Sequence, residues 1–263
     1  MNLTKNLVSL AKKAGEKLMD LRSRHVLAGS WVGTQYKAEA DIIIHNYLKE
    51  GLSVIDTEIP VVSEEDPHSL RMIGSDRYFI VDPIDGTASY AQGFSGFVTQ
   101  VALVERGVAE CCAICAPVSG EVFWAEKENG AFMNGSPLTI RDTNRFEILI
   151  DNYPQPKGIT RSAFMDLELK KYVESGSISL KICRVADCTA DIFFKDVPVQ
   201  QWDLAAPHLV LSESGGFLSD IRGNRIQYLH QQEFSGIVAA NSEGNAKRLI
   251  SWYSNHNNSG DIS

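Results

Sequence analysis

The residues best suited to chemistry are acids at three places: Glu64-Glu65, Asp82 and Asp85 inside Tyr78–Thr87, and Asp203 after Trp202. In Tyr78–Thr87 a short apolar run ends in Asp-Pro-Ile-Asp, followed by Gly86 and Thr87. That order predicts a strand delivering two carboxylates to its exposed end, then a turn able to approach a phosphate. Pro83 fixes a backbone angle and donates no hydrogen bond, which leaves the Ile84 carbonyl available as a further oxygen ligand. Gly86 admits a close approach of a bound group. Thr87 is placed to cap the helix that follows, whose N-terminus offers free N–H groups to a phosphate. Carboxylates in this arrangement suit hard cations such as Mg²⁺, which take oxygen ligands and share them with substrate phosphate. Each piece alone is equally compatible with solvated acids. Asp203 opens a predicted helix, where an acid can serve as a cap or face a metal. The chemistry depends on a fold that brings the three places together.

The elements that must do so read as follows. Leu3, Leu7, Leu10, Ala14, Leu18 and Leu21 repeat at helical spacing and predict an amphipathic first helix. A second helix is expected over Glu39–Gly51, with Ile42, Ile43, Tyr47 and Leu48 inward and Gly51 as its stop. Ile59–Ser63 is a short strand leading to the acids, and Pro67 marks a loop. An antiparallel meander follows, with strands over Phe97–Val104, Val108–Ala116 and Glu121–Ala125 and Gly-containing turns between them. Asp151–Gly158, with Pro154 and Pro156, reads as a boundary between an α+β half (1–150) and an α/β half (151–263). In the second half we expect a helix over Ala163–Glu174, strands over Ile178–Arg184 and Asp191–Phe194, and a helix over Trp202–Ser214 ending at Gly215-Gly216. A late strand (Ile237–Ala240), a final helix (Glu243–Tyr253) and a disordered polar tail from Asn255 complete the reading.

Composition narrows the class. The chain has 263 residues, 44% of them hydrophobic, and a formal net charge of −8. A packed globular protein follows, and no basic run supports a nucleic-acid polymer as partner. Lysines at 5, 12, 13 and 17 interrupt any signal-peptide core, and no apolar run approaches a membrane span, so a cytoplasmic protein without a membrane partner is expected. Five cysteines, an odd number without a secretory signal, argue against a disulfide framework. Cys111 and Cys112 fall on a predicted strand and should face opposite sides, as buried thiols rather than a soft-metal site. The six histidines show no metal-like spacing.

Taken in order, Glu64-Glu65, Asp82-Pro-Ile-Asp-Gly-Thr87 and Trp202-Asp-Leu-Ala-Ala206 with Gly215-Gly216 resemble the inositol monophosphatase superfamily. This is a group of Mg²⁺-dependent, often lithium-sensitive phosphatases that includes the 3′(2′),5′-bisphosphate nucleotidase branch. The resemblance implies an α+β fold, a layered α/β/α/β/α sandwich. It also implies site roles: Glu64, Asp82 and the Ile84 carbonyl hold a first metal, and Asp82, Asp85 and Asp203 a second. Glu65 assists a third ion or the water shell, and Gly86 and Thr87 receive the phosphate. Two or three Mg²⁺ ions would then lower the pKa of the attacking water and neutralise the leaving oxygen, with no protein nucleophile required. Members commonly carry Val-Thr-x-Ala-Asp in an early helix, where the Asp bonds the motif threonine. The matching stretch is Lys37-Ala38-Glu39-Ala40-Asp41, so Asp41 would pair with Thr87 while Lys37 and Ala38 depart from the pattern.

For substrate, the resemblance divides. Nucleotide-directed members often follow the motif with Lys-Glu-Phe, whereas this chain has Ala88-Ser89-Tyr90. Yet Ser63–Pro67 and Ser179–Cys183 are similar to those members. Inositol-directed members tend to place a Glu before Trp-Asp, and here that region holds Lys195, a cation suited to a second anionic group. The expected function is hydrolysis of an inositol or sugar phosphate, with adenosine 3′,5′-bisphosphate as the near rival substrate and a homodimer as the family's common assembly. A non-catalytic member that binds metal or phosphate is the reading of another class. The altered Lys37–Asp41 stretch favours it, and the intact acids oppose it.

Overall fold

The computed structural model describes residues 3–24, 29–32, 35–229 and 233–260. In chain order the elements are α1 (Leu3–Ser23), β1 (Gly29–Val32), β2 (Gln35–Ala38), α2 (Glu39–Ile55), β3 (Val61–Ser63), β4 (Arg77–Asp85), α3 (Thr87–Gln92), β5 (Val98–Glu105), β6 (Val108–Ala116), β7 (Glu121–Glu126), β8 (Gly130–Met133) and β9 (Ser136–Leu138). There follow β10 (Ile148–Asp151), α4 (Gly158–Asp166), β11 (Lys171–Glu174), α5 (Ile178–Ala186), β12 (Ile192–Lys195), β13 (Val199–Gln200), α6 (Gln201–Glu213), β14 (Phe217–Asp220), β15 (Glu233–Phe234), β16 (Ile237–Ala240) and α7 (Glu243–Gly260).

Two sheets carry the architecture. The larger has seven strands in the order β3-β4-β5-β6-β7-β8-β9, parallel only between β3 and β4. The smaller has the order β11-β10-β12-β16-β14. Helices α1 and α2 cover one face of the large sheet, α5 and α6 lie between the sheets, and α7 packs on the far side of the small sheet. Three buried clusters fill the gaps, the central one joining residues of the large sheet to α5, α6 and the small sheet. This is the expected α+β layered sandwich. Strand alternation divides the thiols as expected: Cys111 faces α1 and α2, whereas Cys112 faces α6.

Several local expectations are corrected. Helix α2 runs past Gly51 to Ile55, because Gly51 is a packing contact: a Cβ there would lie 2.4 Å from Leu10 Cδ1. Its inward face is Ile44, Leu48 and Leu52, whereas Ile42 is 47% exposed and Ile43 and Tyr47 are half-buried. Ile178–Arg184 is helix α5, not a strand. A short run buried on every side reads alike in both states, and Ser177 settles it by accepting the Leu180 N–H at 2.9 Å. The predicted helix Ala163–Glu174 ends at Asp166, and Lys171–Glu174 pairs in parallel with β10. The tail from Asn255 is helical to Gly260. Trp252 anchors it through Asp166 and Phe194, and adding turns to an anchored helix costs little.

Candidate active site

Strand pairing places the first acids. β3 and β4 run side by side with Ser63 opposite Val81, so Glu64 leaves the sheet next to Asp82. Asp82 stands opposite Gln100 of β5, after which the register slips before Asp85. In a regular strand, side chains three residues apart point to opposite faces. The slip at Pro83, which cannot donate to the ladder, re-aims the chain. As a result, one carboxylate oxygen from each of Asp82, Asp85 and Asp203 lies within 4.8 Å of the others.

Asp203 arrives from the first turn of α6, where its Oδ2 accepts the Gln200 N–H at 3.0 Å. Asp85 accepts the N–H groups of Ile178 (3.3 Å) and Ser179 (2.7 Å) at the start of α5. A carboxylate has about four lone-pair positions, so Asp85 can hold α5 and still face a cation.

The electrostatics follow from burial and from like charges at close range. Burial pushes the Asp82 carboxyl well above the usual range, and Glu64, Asp85, Asp203 and Asp41 push it the same way. Asp203 is raised by burial, then by Asp85 and Glu64, against the Gln200 N–H and Lys181. The buried Asp82 Oδ1 has no hydrogen-bond partner. Like charges gathered in low dielectric are unfavourable without a compensating cation. An all-oxygen donor set with an orphaned carboxylate oxygen fits a hard divalent ion such as Mg²⁺.

Around the cluster, Asp41 is 2% exposed, not a solvated helix acid. Its Oδ2 accepts the Ala38 N–H at 2.7 Å, so the main chain of Ala38 supports it. The Thr87 hydroxyl lies 2.9 Å from the Ile84 carbonyl and 3.3 Å from Asp41 Oδ1, which brings the predicted pair together. Thr87 is not the helix cap, however. That position is Gly86, at φ 92°, where a Cβ would meet the Gly96 carbonyl at 2.8 Å. Glu64 and Glu65 are half-buried beyond β3. Beside them, His45 Nδ1 lies 2.8 Å from Ser63 Oγ, and burial lowers the pKa of the ring, with Lys49 acting in the same direction.

Lys195, on β12, has its Nζ 3.6 Å from Asp151 Oδ1. The same carboxylate faces Lys181, whose side chain is 0% exposed and which bonds Asn152 and the Gly176 carbonyl. Burial, with Lys195 adding to it, lowers the Lys181 pKa to about 7. Sequence reasoning names Ser179 and Lys181 only within the Ser179–Cys183 stretch and assigns no role to them or to Gln100. For Lys181 the signal was a lysine inside an apolar run. Neither the Gln100 contacts nor those of Ser179 could be read locally, since their partners lie far along the chain. His208 is bonded to Tyr228 in the central core, and His25 and His230 lie outside the described residues.

The model of the inositol monophosphatase family matches residues 1–257. The 3′(2′),5′-bisphosphate nucleotidase CysQ of Escherichia coli O6:H1 is 28% identical over 236 residues, 86% of this chain and 93% of that protein. The solved structure of the extragenic suppressor protein SuhB from Bartonella henselae is 26% identical, with a TM-score of 0.79, covering 94% of this chain and 97% of that one. The IMPase of Thermotoga maritima, at 22% identity and a TM-score of 0.79 over 95% and 96% of the two chains, shares the fold. The chain belongs to the inositol monophosphatase family and is a phosphatase that hydrolyses phosphomonoesters.

Proposed function

We propose that this phosphatase works with two or three Mg²⁺ ions held by Glu64, Asp82, the Ile84 carbonyl, Asp85 and Asp203. The observation that carries the reading is the convergence of three carboxylates within 4.8 Å, one with an unpartnered buried oxygen. When bound, divalent ions supply charge neutralisation at phosphoryl oxygens and lower the pKa of water. The chain's own residues do the rest. Asp41 and Thr87 form a hydrogen-bonded pair that can orient water. The Gly86 and Thr87 backbone, held in place by the packing of the Gly86 turn against Gly96 and Phe97, receives the phosphate. Glu65, next to the Ser63–His45 contact, assists a third ion or the water shell.

Within this reaction we take a phosphomonoester with a second anionic group, of the adenosine 3′,5′-bisphosphate class, as the better-supported substrate. Lys195 and Lys181 both face Asp151, Lys181 also feels the charges of Asp85 and Asp203, and the CysQ relative is a bisphosphate nucleotidase. Ala88-Ser89-Tyr90, in place of Lys-Glu-Phe, weakens the nucleotide reading without establishing another. Phosphate release with Mg²⁺ decides between this class and the inositol or sugar phosphates. The expected result is a higher kcat/KM for adenosine 3′,5′-bisphosphate than for inositol 1-phosphate, and the reverse order overturns the choice. A homodimer is part of the proposal, and sedimentation checks it.

A further inference from the structure

Pro207 lies buried inside α6. In an α-helix the N–H of a residue donates to the carbonyl four positions earlier. Proline has no N–H, and its ring crowds that carbonyl. The carbonyl deprived here is that of Asp203, so α6 lacks an internal bond at the acid that joins the cluster.

A neighbouring helix supplies the donor. Ser179 Oγ donates to the Asp203 carbonyl at 2.9 Å. Gln100 Nε2 donates to Ser179 Oγ at 2.7 Å and to the Trp202 carbonyl at 2.8 Å. With a lone pair of the serine oxygen engaged by Gln100, its proton is directed at Asp203. The Ser179 N–H meanwhile holds Asp85 Oδ2 at 2.7 Å, and Gln100 stands opposite Asp82 across the β4–β5 pairing. One buried serine therefore touches the side chain of one cluster acid and the main chain of another, and the amide that orients it sits beside the third.

We infer that Ser179, oriented by Gln100, is a positioning residue that replaces the helix donor removed by Pro207 and sets Asp203 at its working distance from Asp85. This rests on the reading that Asp85 and Asp203 hold divalent cations.

The test is a cycle of Ser179→Ala and Pro207→Ala in the full chain. Three readouts are used: Mn²⁺ binding by calorimetry, Mg²⁺-dependent phosphate release, and amide exchange in metal-free protein. Ser179→Ala should weaken Mn²⁺ binding by about tenfold or more, lower kcat more than it changes KM, and speed exchange in the first turn of α6. Pro207→Ala returns an N–H to the Asp203 carbonyl, so the double variant should recover most of the lost affinity and protection. A hydrogen bond that only stabilises the fold would lower Tm without that recovery. Wild-type Mn²⁺ affinity in Ser179→Ala, or a double variant no better than Ser179→Ala, overturns the inference. If Ser179→Ala does not fold, the double variant is compared with Pro207→Ala. Agreement within about twofold supports the inference, and a larger loss overturns it. Asp203→Asn separates the two levels. If it loses Mn²⁺ while Ser179→Ala does not, only the inference fails. If it binds Mn²⁺ like wild type, the metal reading itself fails.

Discussion

At the scale of single residues, the cluster is a set of buried acids whose charges oppose one another, an opposition that a bound cation would relieve. Asp85→Asn removes one of those charges while keeping an oxygen able to accept from α5. It should lower kcat/KM at least about a hundredfold with an unchanged circular dichroism spectrum; near-normal turnover would refute the metal role. The raised carboxyls also set a pH dependence. Asp82 and Asp203 have folded pKa values above the unfolded value of about 4. Their contribution to the stability of the metal-free protein is therefore full below about pH 4 and lost as pH rises through the folded values. A cation that binds only the folded state restores it. The gain in Tm from millimolar Mg²⁺ should thus be larger at pH 7.5 than at pH 5. Equal gains at the two pH values would count against the cluster as the binding site. That Asp82, Asp85 and Asp203 are candidates was legible in the motifs, because carboxylate chemistry is carried by residue type. The contacts of Lys181, Gln100 and Ser179 were not legible, because their partners are set by packing between α5, α6 and β5.

At the scale of elements, the site depends on a backbone crossing. A Cβ at Gly96 would lie 2.4 Å from the Gly176 nitrogen and 2.7 Å from its Cα, where neither side can yield as a flexible side chain would. Gly96→Ala should cost about 1–3 kcal/mol of stability, measured by denaturant unfolding. It should also displace the start of α5 from Asp85, so that kcat/KM falls with Tm. An unchanged Tm would show that the crossing is loose. The first helix, the meander and α6 were readable because their periodicity matches what each buries. The exchange of strand and helix at Ile178–Arg184 and at Lys171–Glu174 was not. There the outcome turned on Ser177 as a cap and on pairing with β10, and a window of apolar residues contains neither.

At the scale of the molecule, one buried cluster takes residues from both sheets, including Val62, Ile80 and Phe123 of the large sheet and Phe193 and Ala239 of the small one. Tyr78 adds a buried bond from β4 to the Tyr228 carbonyl at 2.6 Å. A chain ending at residue 150 would leave the inner face of the large sheet uncovered, so it should show no cooperative thermal transition, as checked by calorimetry. A sharp transition in that fragment would establish the 1–150 half as an independent unit. Tyr78→Phe in the full chain should cost about 1–3 kcal/mol, because it leaves a buried carbonyl without its partner.

By itself, the sequence determined the chemistry available: carboxylates at three places, an oxygen-only set of donors and the glycine turn after Asp85, while their meeting was what the family resemblance implied. The donors and the turn are properties of residue type and short spacing, which survive without knowledge of the fold. The tertiary structure alone decided that Asp203 comes within 4.8 Å of Asp82 and Asp85. It also showed that the main chain of Ala38 supports Asp41 and that a serine on α5 completes the helix that Pro207 interrupts. Those facts depend on sheet register and helix packing between distant segments, where each contact exists only because the others hold it in place.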